Sequence, residues 1–177
     1  MDKAKLIALA RQPLTRILLV GLVVLALDQW TKHLVLRHLA PGQERVLLDG
    51  FFRFVHWHNT GAAWSMFMGR NRALTGVAIA ALVLLYYSRD YFDAHTRAGQ
   101  LALGLIFGGI VGNLIDRICF EYVIDFLRFY VQPRGGEEIG FPAFNIADSG
   151  ICVGVGLIFI LSFKPTPPKP EAGVPAT

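Results

Sequence analysis

Residues 98–115 read AGQLALGLIFGGIVGNLI, an apolar run without a single charged side chain. A helix that crosses the hydrocarbon core of a bilayer needs about 20 predominantly apolar residues, and this run approaches that length. Three further segments have the same character, at 17–36, 73–87 and 146–163. The sequence therefore predicts an α-helical membrane protein with four transmembrane helices.

The overall composition agrees with this prediction. Hydrophobic residues make up 54% of the 177 residues and charged residues 17%, with a mean hydropathy of +0.47. Soluble domains carry about 25% charged residues. The net charge of +4 comes from basic residues at the ends of apolar segments, so we expect membrane lipid as a partner and no nucleic acid. We expect one membrane-embedded domain at 1–163 and a disordered cytoplasmic tail at 164–177.

Basic residues also predict the orientation. Four spans place both termini on one side of the membrane, and that side is the denser in lysine and arginine. Its basic residues are Lys3, Lys5, Arg11, Arg16, Arg89, Arg97, Lys164 and Lys169. Since cytoplasmic segments are enriched in Lys and Arg, we expect both termini to be cytoplasmic. The first apolar run leads into DQWTK rather than into small residues, so we expect an uncleaved first helix.

The two long connections, 37–72 and 116–145, are then extracytoplasmic. Residues 51–58 read FFRFVHWH between turn residues, which predicts a strand in a small extracytoplasmic β-sheet. The second connection is rich in glycine and proline, so we expect an extracytoplasmic loop there. Within span three, Gly104, Gly108 and Gly112 recur every four residues, a spacing that favours close helix packing.

Ionisable residues within or beside the spans are candidates for function because they are costly in a membrane. They are Asp28, Lys32, Asp116, Arg117, Asp125 and Asp148. All fall toward the extracytoplasmic side of the predicted topology. A small transporter or channel would instead place polar residues through the whole depth of the bilayer, and a membrane scaffold would not require both Asp125 and Asp148.

The spacing of these residues leaves several roles open. Asp28 and Lys32 lie four apart on one helix face, which fits either an ion pair or a contact with substrate. For Asp116 we expect a structural polar cluster, whereas Asn113 and Arg117 could reach a bound peptide.

Asn145 and Asp148 have the spacing of a helix cap and a first-turn acid. A cap does not explain Asp125, which lies among apolar neighbours and should be paired or functional. Two carboxylates that share a proton can activate water, but a purely structural role for both remains an equal alternative on spacing alone.

Other chemistries have little support. The sequence contains neither HExxH nor GxSxG, and His56 and His58 on one strand face lack a third metal ligand. Cys119 and Cys152 do not form a CxxC pair, and we expect them to be small buried thiols.

Five stretches together resemble the lipoprotein signal peptidase (signal peptidase II) family. They are residues 28–32 (DQWTK), 59–65 (NTGAAWS), 108–117 (GGIVGNLIDR), 123–126 (VIDF) and 141–149 (FPAFNIADS). They occur in the family's order from the first span to the fourth. Trp64 stands where the family usually has Phe, and Ile124 where Val is common; neither affects the proposed chemistry.

The resemblance implies a catalytic dyad of Asp125 and Asp148 without a metal or organic cofactor. The implied partner is a lipid-modified prolipoprotein, cut just before the cysteine that carries diacylglycerol, and we expect the enzyme to be a monomer. Residues implied to bind substrate or support the dyad are Asp28, Lys32, Asn59, Gly112, Asn113, Arg117 and Asn145.

Overall fold

All four predicted apolar segments form helices in the computed structural model, which describes residues 12–61 and 69–163. The helices are α1 (Pro13–His38), α2 (Asn71–Ser88), α3 (Arg97–Phe120) and α4 (Ile146–Ser162), with a short 3-10 helix at Arg89–Phe92. Within these ranges α1, α3 and the stretch Asn71–Phe92 are long and apolar enough to cross a membrane, whereas α4 has 17 residues. The count of four spans therefore stays a prediction.

Some predictions fall on residues outside the described ranges. They concern the tail at 164–177, the family stretch at 62–65, and five of the basic residues used for orientation. Those residues are Lys3, Lys5, Arg11, Lys164 and Lys169.

Helix α3 is the centre of the bundle and packs against both α1 and α4. Glycines make this close approach possible. A Cβ on Gly108 would lie 2.4 Å from the backbone oxygen of Gly21 on α1, and one on Gly154 would lie 2.7 Å from the oxygen of Ala102 on α3. The predicted packing role of small residues is confirmed, because any larger side chain would push the helices apart.

A four-stranded antiparallel sheet lies beside the bundle. Its strands are β1 (Glu44–Leu48), β2 (Phe52–Asn59), β3 (Val123–Val131) and β4 (Ile139–Gly140), in that order. The strand predicted from FFRFVHWH is confirmed as β2, and β2 contains a bulge between Phe54 and Trp57.

The prediction of a loop over the whole of 116–145 is wrong in its first half. Helix α3 continues to Phe120, and residues 123–131 form β3. The glycine and proline residues that predicted a loop all follow Val131, whereas VIDFLRFYV has the β-branched and aromatic residues that suit a strand. The part from Gln132 to Glu138 is a connection that contains a turn, and an irregular stretch at 141–145 follows β4.

The expectation of buried thiols is also wrong. Cys119 and Cys152 are free and exposed. Cys119 lies in the last turn of α3, and Cys152 lies on a face of α4 that carries the exposed Val153 and Val155. An apolar helix in a membrane protein is not turned toward the protein core on every face, so apolar character did not imply burial.

Candidate active site

Asp125 is placed by strand β3, where it lies opposite Trp57 of β2. The other edge of β3 receives the chain that leads into α4. Phe144 N–H donates to the Leu127 oxygen at 3.1 Å, and Leu127 N–H donates to the Phe144 oxygen at 2.9 Å. This short bridge sets the start of α4 beside Asp125.

Asp148 lies in the first turn of α4, where Asn145 is the N-cap as its spacing predicted. The Asp148 N–H donates to Asn145 Oδ1 at 2.9 Å, and the Asn145 N–H donates back to Asp148 Oδ2 at 3.3 Å. This reciprocal pair is a capping box, which fixes the rotamer of the carboxylate relative to the helix.

Three asparagine amides surround the two acids. Asn59 Nδ2 donates to Asp125 Oδ2 at 2.8 Å, and Asn145 Nδ2 donates to Asp125 Oδ1 at 2.9 Å. Asn113 Nδ2 donates to Asp148 Oδ1 at 2.7 Å. The acids thus come from β3 and α4, and their amide partners come from β2, α3 and the N-cap. Asn59, Asn113 and Asn145, three of the residues predicted from sequence, meet here.

The orientation of each amide follows from the partner of its oxygen. The Gly61 N–H donates to Asn59 Oδ1 at 2.9 Å, and Lys32 Nζ donates to Asn113 Oδ1 at 3.0 Å. The Asn145 oxygen is occupied by the cap itself. Because a backbone N–H and an ammonium can only donate, each amide must turn its NH₂ group toward the acids.

Burial dominates the electrostatics of Asp125, which is 3% exposed. Desolvation, and after it the charge of Asp148, raises the pKa of Asp125 to about 7, against the hydrogen bonds from Asn59 and Asn145. No ion pair among residues 12–61 and 69–163 includes Asp125 or Asp148. Burial and the neighbouring carboxylate therefore both favour the protonated form of Asp125.

A separate ionic cluster lies directly behind the acids. Lys32 Nζ is 2.8 Å from Asp28 Oδ2 and 2.8 Å from Asp116 Oδ2, and all three side chains are at most 2% exposed. Of the two roles left open for Asp28 and Lys32, the structure has the ion pair. Asp116 bonds the same ammonium and so belongs to the polar cluster predicted for it. Gln29, which the sequence analysis did not select, donates to Asp116 Oδ1 at 3.0 Å.

The cluster is also bonded to the elements that carry the two acids. Asp28 Oδ1 accepts from the Ala147 N–H at 2.9 Å, and Asp116 Oδ2 accepts from the Ile124 N–H at 3.2 Å. A Cβ on Gly112 would lie 2.7 Å from Asp28 Oδ2, so this position admits only glycine without a shift.

Arg117 lies at the edge of the site. Its Nη2 donates to the Gly61 oxygen at 2.9 Å, which ties the end of α3 to the turn that holds Asn59. Asn71, a second residue that the sequence analysis did not select, donates to the Arg117 oxygen at 2.9 Å. Candidate residues were predicted from the cost of burying a charge. Gln29 and Asn71 carry no charge, so this signal could not have found them.

No group of three or more metal-ligating side chains occurs in the described part of the chain. His56 Nδ1 lies 2.9 Å from the Leu39 oxygen, and the ring of His58 stacks on Tyr122 at 3.8 Å between centroids. Each histidine thus has a contact within the fold, although His56 Nε2 is buried without a hydrogen-bond partner among the described residues.

Comparison with known proteins agrees with this architecture. The model of the signal peptidase (SPase) II family matches residues 20–164. The lipoprotein signal peptidase of Symbiobacterium thermophilum is 42% identical over 146 residues, covering 81% of this chain and 91% of the relative. That of Bacillus subtilis is 36% identical over 143 residues, covering 80% of this chain and 89% of the relative.

Solved structures agree as well. One described as a bacterial membrane enzyme aligns with a TM-score of 0.73 at 33% identity, covering 89% of this chain and 93% of the other. A second with the same description has a TM-score of 0.70 at 32% identity and covers 85% and 94%. With most of both chains matched in sequence and in structure, this chain belongs to the lipoprotein signal peptidase (signal peptidase II) family.

Proposed function

We propose that this protein is an aspartic endopeptidase that cuts diacylglyceryl-modified prolipoproteins just before the lipidated cysteine. Membership of the family supports the general function, which is the removal of signal peptides from prolipoproteins. The observation that carries the aspartic mechanism is the pair Asp125 and Asp148, a buried and a half-buried acid that are joined through Asn145 and supplied with amide donors.

The two acids have different roles in this proposal. Asp148 receives the Asn145 N–H and the Asn113 amide at the start of a helix, where the dipole favours a negative charge. Asp125 lies in a strand among apolar side chains, and burial raises its pKa to about 7. We therefore assign the charge mainly to Asp148 and the shared proton mainly to Asp125, in a coupled pair whose titration belongs to both groups.

The reaction follows the logic of paired carboxylates. Charged Asp148 removes a proton from water as the water oxygen attacks the scissile carbonyl carbon, and Asp125 gives its proton to the carbonyl oxygen. The tetrahedral intermediate then collapses. Asp148 returns its proton to the departing amide nitrogen, Asp125 regains the hydroxyl proton, and the C–N bond breaks. The dyad ends with the single proton with which it began.

The remaining residues support the dyad. Lys32 orients the Asn113 amide, and Asp28, held close by Gly112, bonds the first turn of α4. Arg117 holds the Gly61 turn, and Asn59 and Asn145 bond Asp125. In this proposal no metal or organic cofactor takes part.

The site belongs on the periplasmic side of the inner membrane, with both termini cytoplasmic and residues 1–163 acting as one domain. The distribution of lysine and arginine supports this orientation. Reporter tags at residues 1 and 177 should both be cytoplasmic, and a label at Gly135 should react from the periplasm. A periplasmic C-terminus would mean that the chain does not have four spans, and α2 and α4, with 18 and 17 residues, are the two shortest of the four helices.

Cleavage by the purified full chain tests the function. A prolipoprotein peptide with a diacylglyceryl cysteine should be cut before that cysteine, and the same peptide without lipid should not. Asp125→Asn should abolish the cut, and the matched exposed change Asp49→Asn should leave it intact. Equal cleavage of both peptides would contradict the lipid requirement, and an active Asp125→Asn would contradict the dyad.

A further inference from the structure

A chain of ion pairs joins strands β1, β2 and β3 to the residue before β4, and it includes neither acid of the dyad. Arg53 Nη1 on β2 is 3.0 Å from Glu44 Oε2 on β1, and Arg128 Nη2 on β3 is 2.8 Å from Glu138 Oε1. Arg53 Nη2 bonds the same Glu138 oxygen. Glu138 directly precedes β4, so one carboxylate from the connection bridges the two central strands.

The two arginines face each other in the sheet. Arg53 pairs with Arg128 in the β2–β3 register, and their side chains are only 14% and 17% exposed. Like charges directly opposite each other on neighbouring strands are destabilising, and partial burial strengthens the repulsion. Glu44 compensates Arg53 at the sheet edge, but Glu138 is the carboxylate that bonds both cations.

Each guanidinium also covers an aromatic ring. Arg53 lies 4.2 Å from the centroid of Tyr130, and Arg128 lies 4.4 Å from that of Trp57. Trp57 is the cross-strand partner of Asp125. Arg128 therefore contacts both Glu138 and Trp57, the residue that lies opposite Asp125 in the sheet.

The β2–β3 register decides which amide reaches Asp125. The bulge between Phe54 and Trp57 separates the arginine pair from Asn59, whose Nδ2 donates to Asp125. A slip by one residue moves every side chain to the opposite face of a strand. This bulge sets two residues of β2, Val55 and His56, against Phe126 of β3, so the pairs on its two sides belong to one register. Fixing the pair Arg53–Arg128 on one side of the bulge fixes Asn59 on the other.

We propose that Glu138 is a positioning residue for the active site, which selects the β2–β3 register by bridging Arg53 and Arg128 and so keeps the Asn59 amide on Asp125. The catalytic consequence rests on the proposed function; the effect on register does not. The hydrogen bond from Arg128 lowers the pKa of Glu138, so its carboxylate is charged at neutral pH.

Glu138→Gln, compared with Glu137→Gln at the neighbouring exposed position, tests the proposal in the purified full chain. We expect Glu138→Gln to lower kcat on the lipidated peptide by about fivefold, the most that a cross-strand charge pair usually contributes, with KM unchanged. Infrared titration of labelled aspartate, assigned with Asp125→Asn, should report a higher pKa for Asp125, because the Asn59 bond that lowers it is weakened. Glu137→Gln should change neither quantity.

Adding Arg128→Gln to Glu138→Gln removes the unbridged like-charge pair and should restore part of the lost activity and of the Asp125 titration. If Glu138→Gln alone does not fold, the double variant should fold. An unchanged Asp125 titration in Glu138→Gln, or a double variant no better than the single, would overturn the proposal. The titration needs no cleavage, so an active Asp125→Asn would refute the dyad without deciding the role of Glu138.

Discussion

Two groups of carboxylates lie side by side in this protein and have different hydrogen-bonding partners. Asp28 and Asp116 share the ammonium of Lys32 at 2.8 Å each. Asp125 and Asp148 receive amide and backbone N–H groups, and neither is in an ion pair within residues 12–61 and 69–163. The first pair has a cation as its partner, whereas the second has only neutral donors among the described residues. The difference in partners therefore separates an ion-paired cluster from the pair that we propose to be catalytic.

The largest effect is expected from removing either reactive acid. Asp125→Asn and Asp148→Asn should each lower kcat by about 10⁴-fold, since the dyad needs one acid and one base at once. The double variant should be no less active than either single one, because the two act as a unit. Folding, followed by thermal unfolding in detergent, should be retained, and EDTA should have no effect. Loss of activity with EDTA would contradict a metal-free dyad.

Substitutions in the ionic cluster should lower the stability of the fold and not only the rate of cleavage. Lys32→Met leaves Asp28 and Asp116 buried without their cation, and we expect the free energy of unfolding to fall by about 3–5 kcal/mol. Lys32→Met combined with Asp28→Asn and Asp116→Asn should regain most of it. Denaturant unfolding in a fixed detergent measures both. If the Lys32→Met single variant were as stable as the unmodified protein, Asp28 and Asp116 would not depend on their cation, and the proposed difference between the two groups would be wrong.

Asn113 joins the two groups, because its oxygen accepts from Lys32 and its amide donates to Asp148. Asn113→Ala should lower kcat by about 10- to 100-fold, the usual contribution of a hydrogen bond to a charged group. We expect a smaller loss of stability than in Lys32→Met. Steady-state kinetics and unfolding on the same preparations compare the two. If Asn113→Ala and Lys32→Met lost the same stability, the main role of Asn113 would be in the ionic cluster and not in the support of Asp148.

The smallest expected effect is a shift in pH dependence. Because the pKa of Asp125 is raised to about 7, its proton is present below that pH and is lost as the pH rises through it. The alkaline limb of kcat/KM should therefore fall near pH 7. The same raised pKa should make stability decrease from about pH 4, where an unfolded Asp titrates, up to about pH 7. Asn59→Ala removes a bond that lowers this pKa, so it should move the limb to higher pH.

Much of the architecture was predictable from the sequence because its signals are local. Four apolar runs predicted the helices, the aromatic-rich stretch at 51–58 between turn residues predicted β2, and the spacing of Asn145 and Asp148 predicted the cap. Strand β3 was missed because its nine residues lie in a connection whose later glycines and prolines predicted a loop. Pairing with β2 makes it a strand, and that partner is distant in sequence.

Because burying a charge is costly, the sequence indicated that Asp28, Lys32, Asp125 and Asp148 need partners. The spacing of residues did not predict which partner each of them has. Only the tertiary structure decided which acid meets a cation and which meets an amide. That outcome depends on α3 placing Asp116 beside Lys32, and on β3 and α4 placing Asp125 beside Asn145. These contacts join residues far apart in the chain, and their chemistry follows from hydrogen-bond direction, which a sequence pattern does not carry.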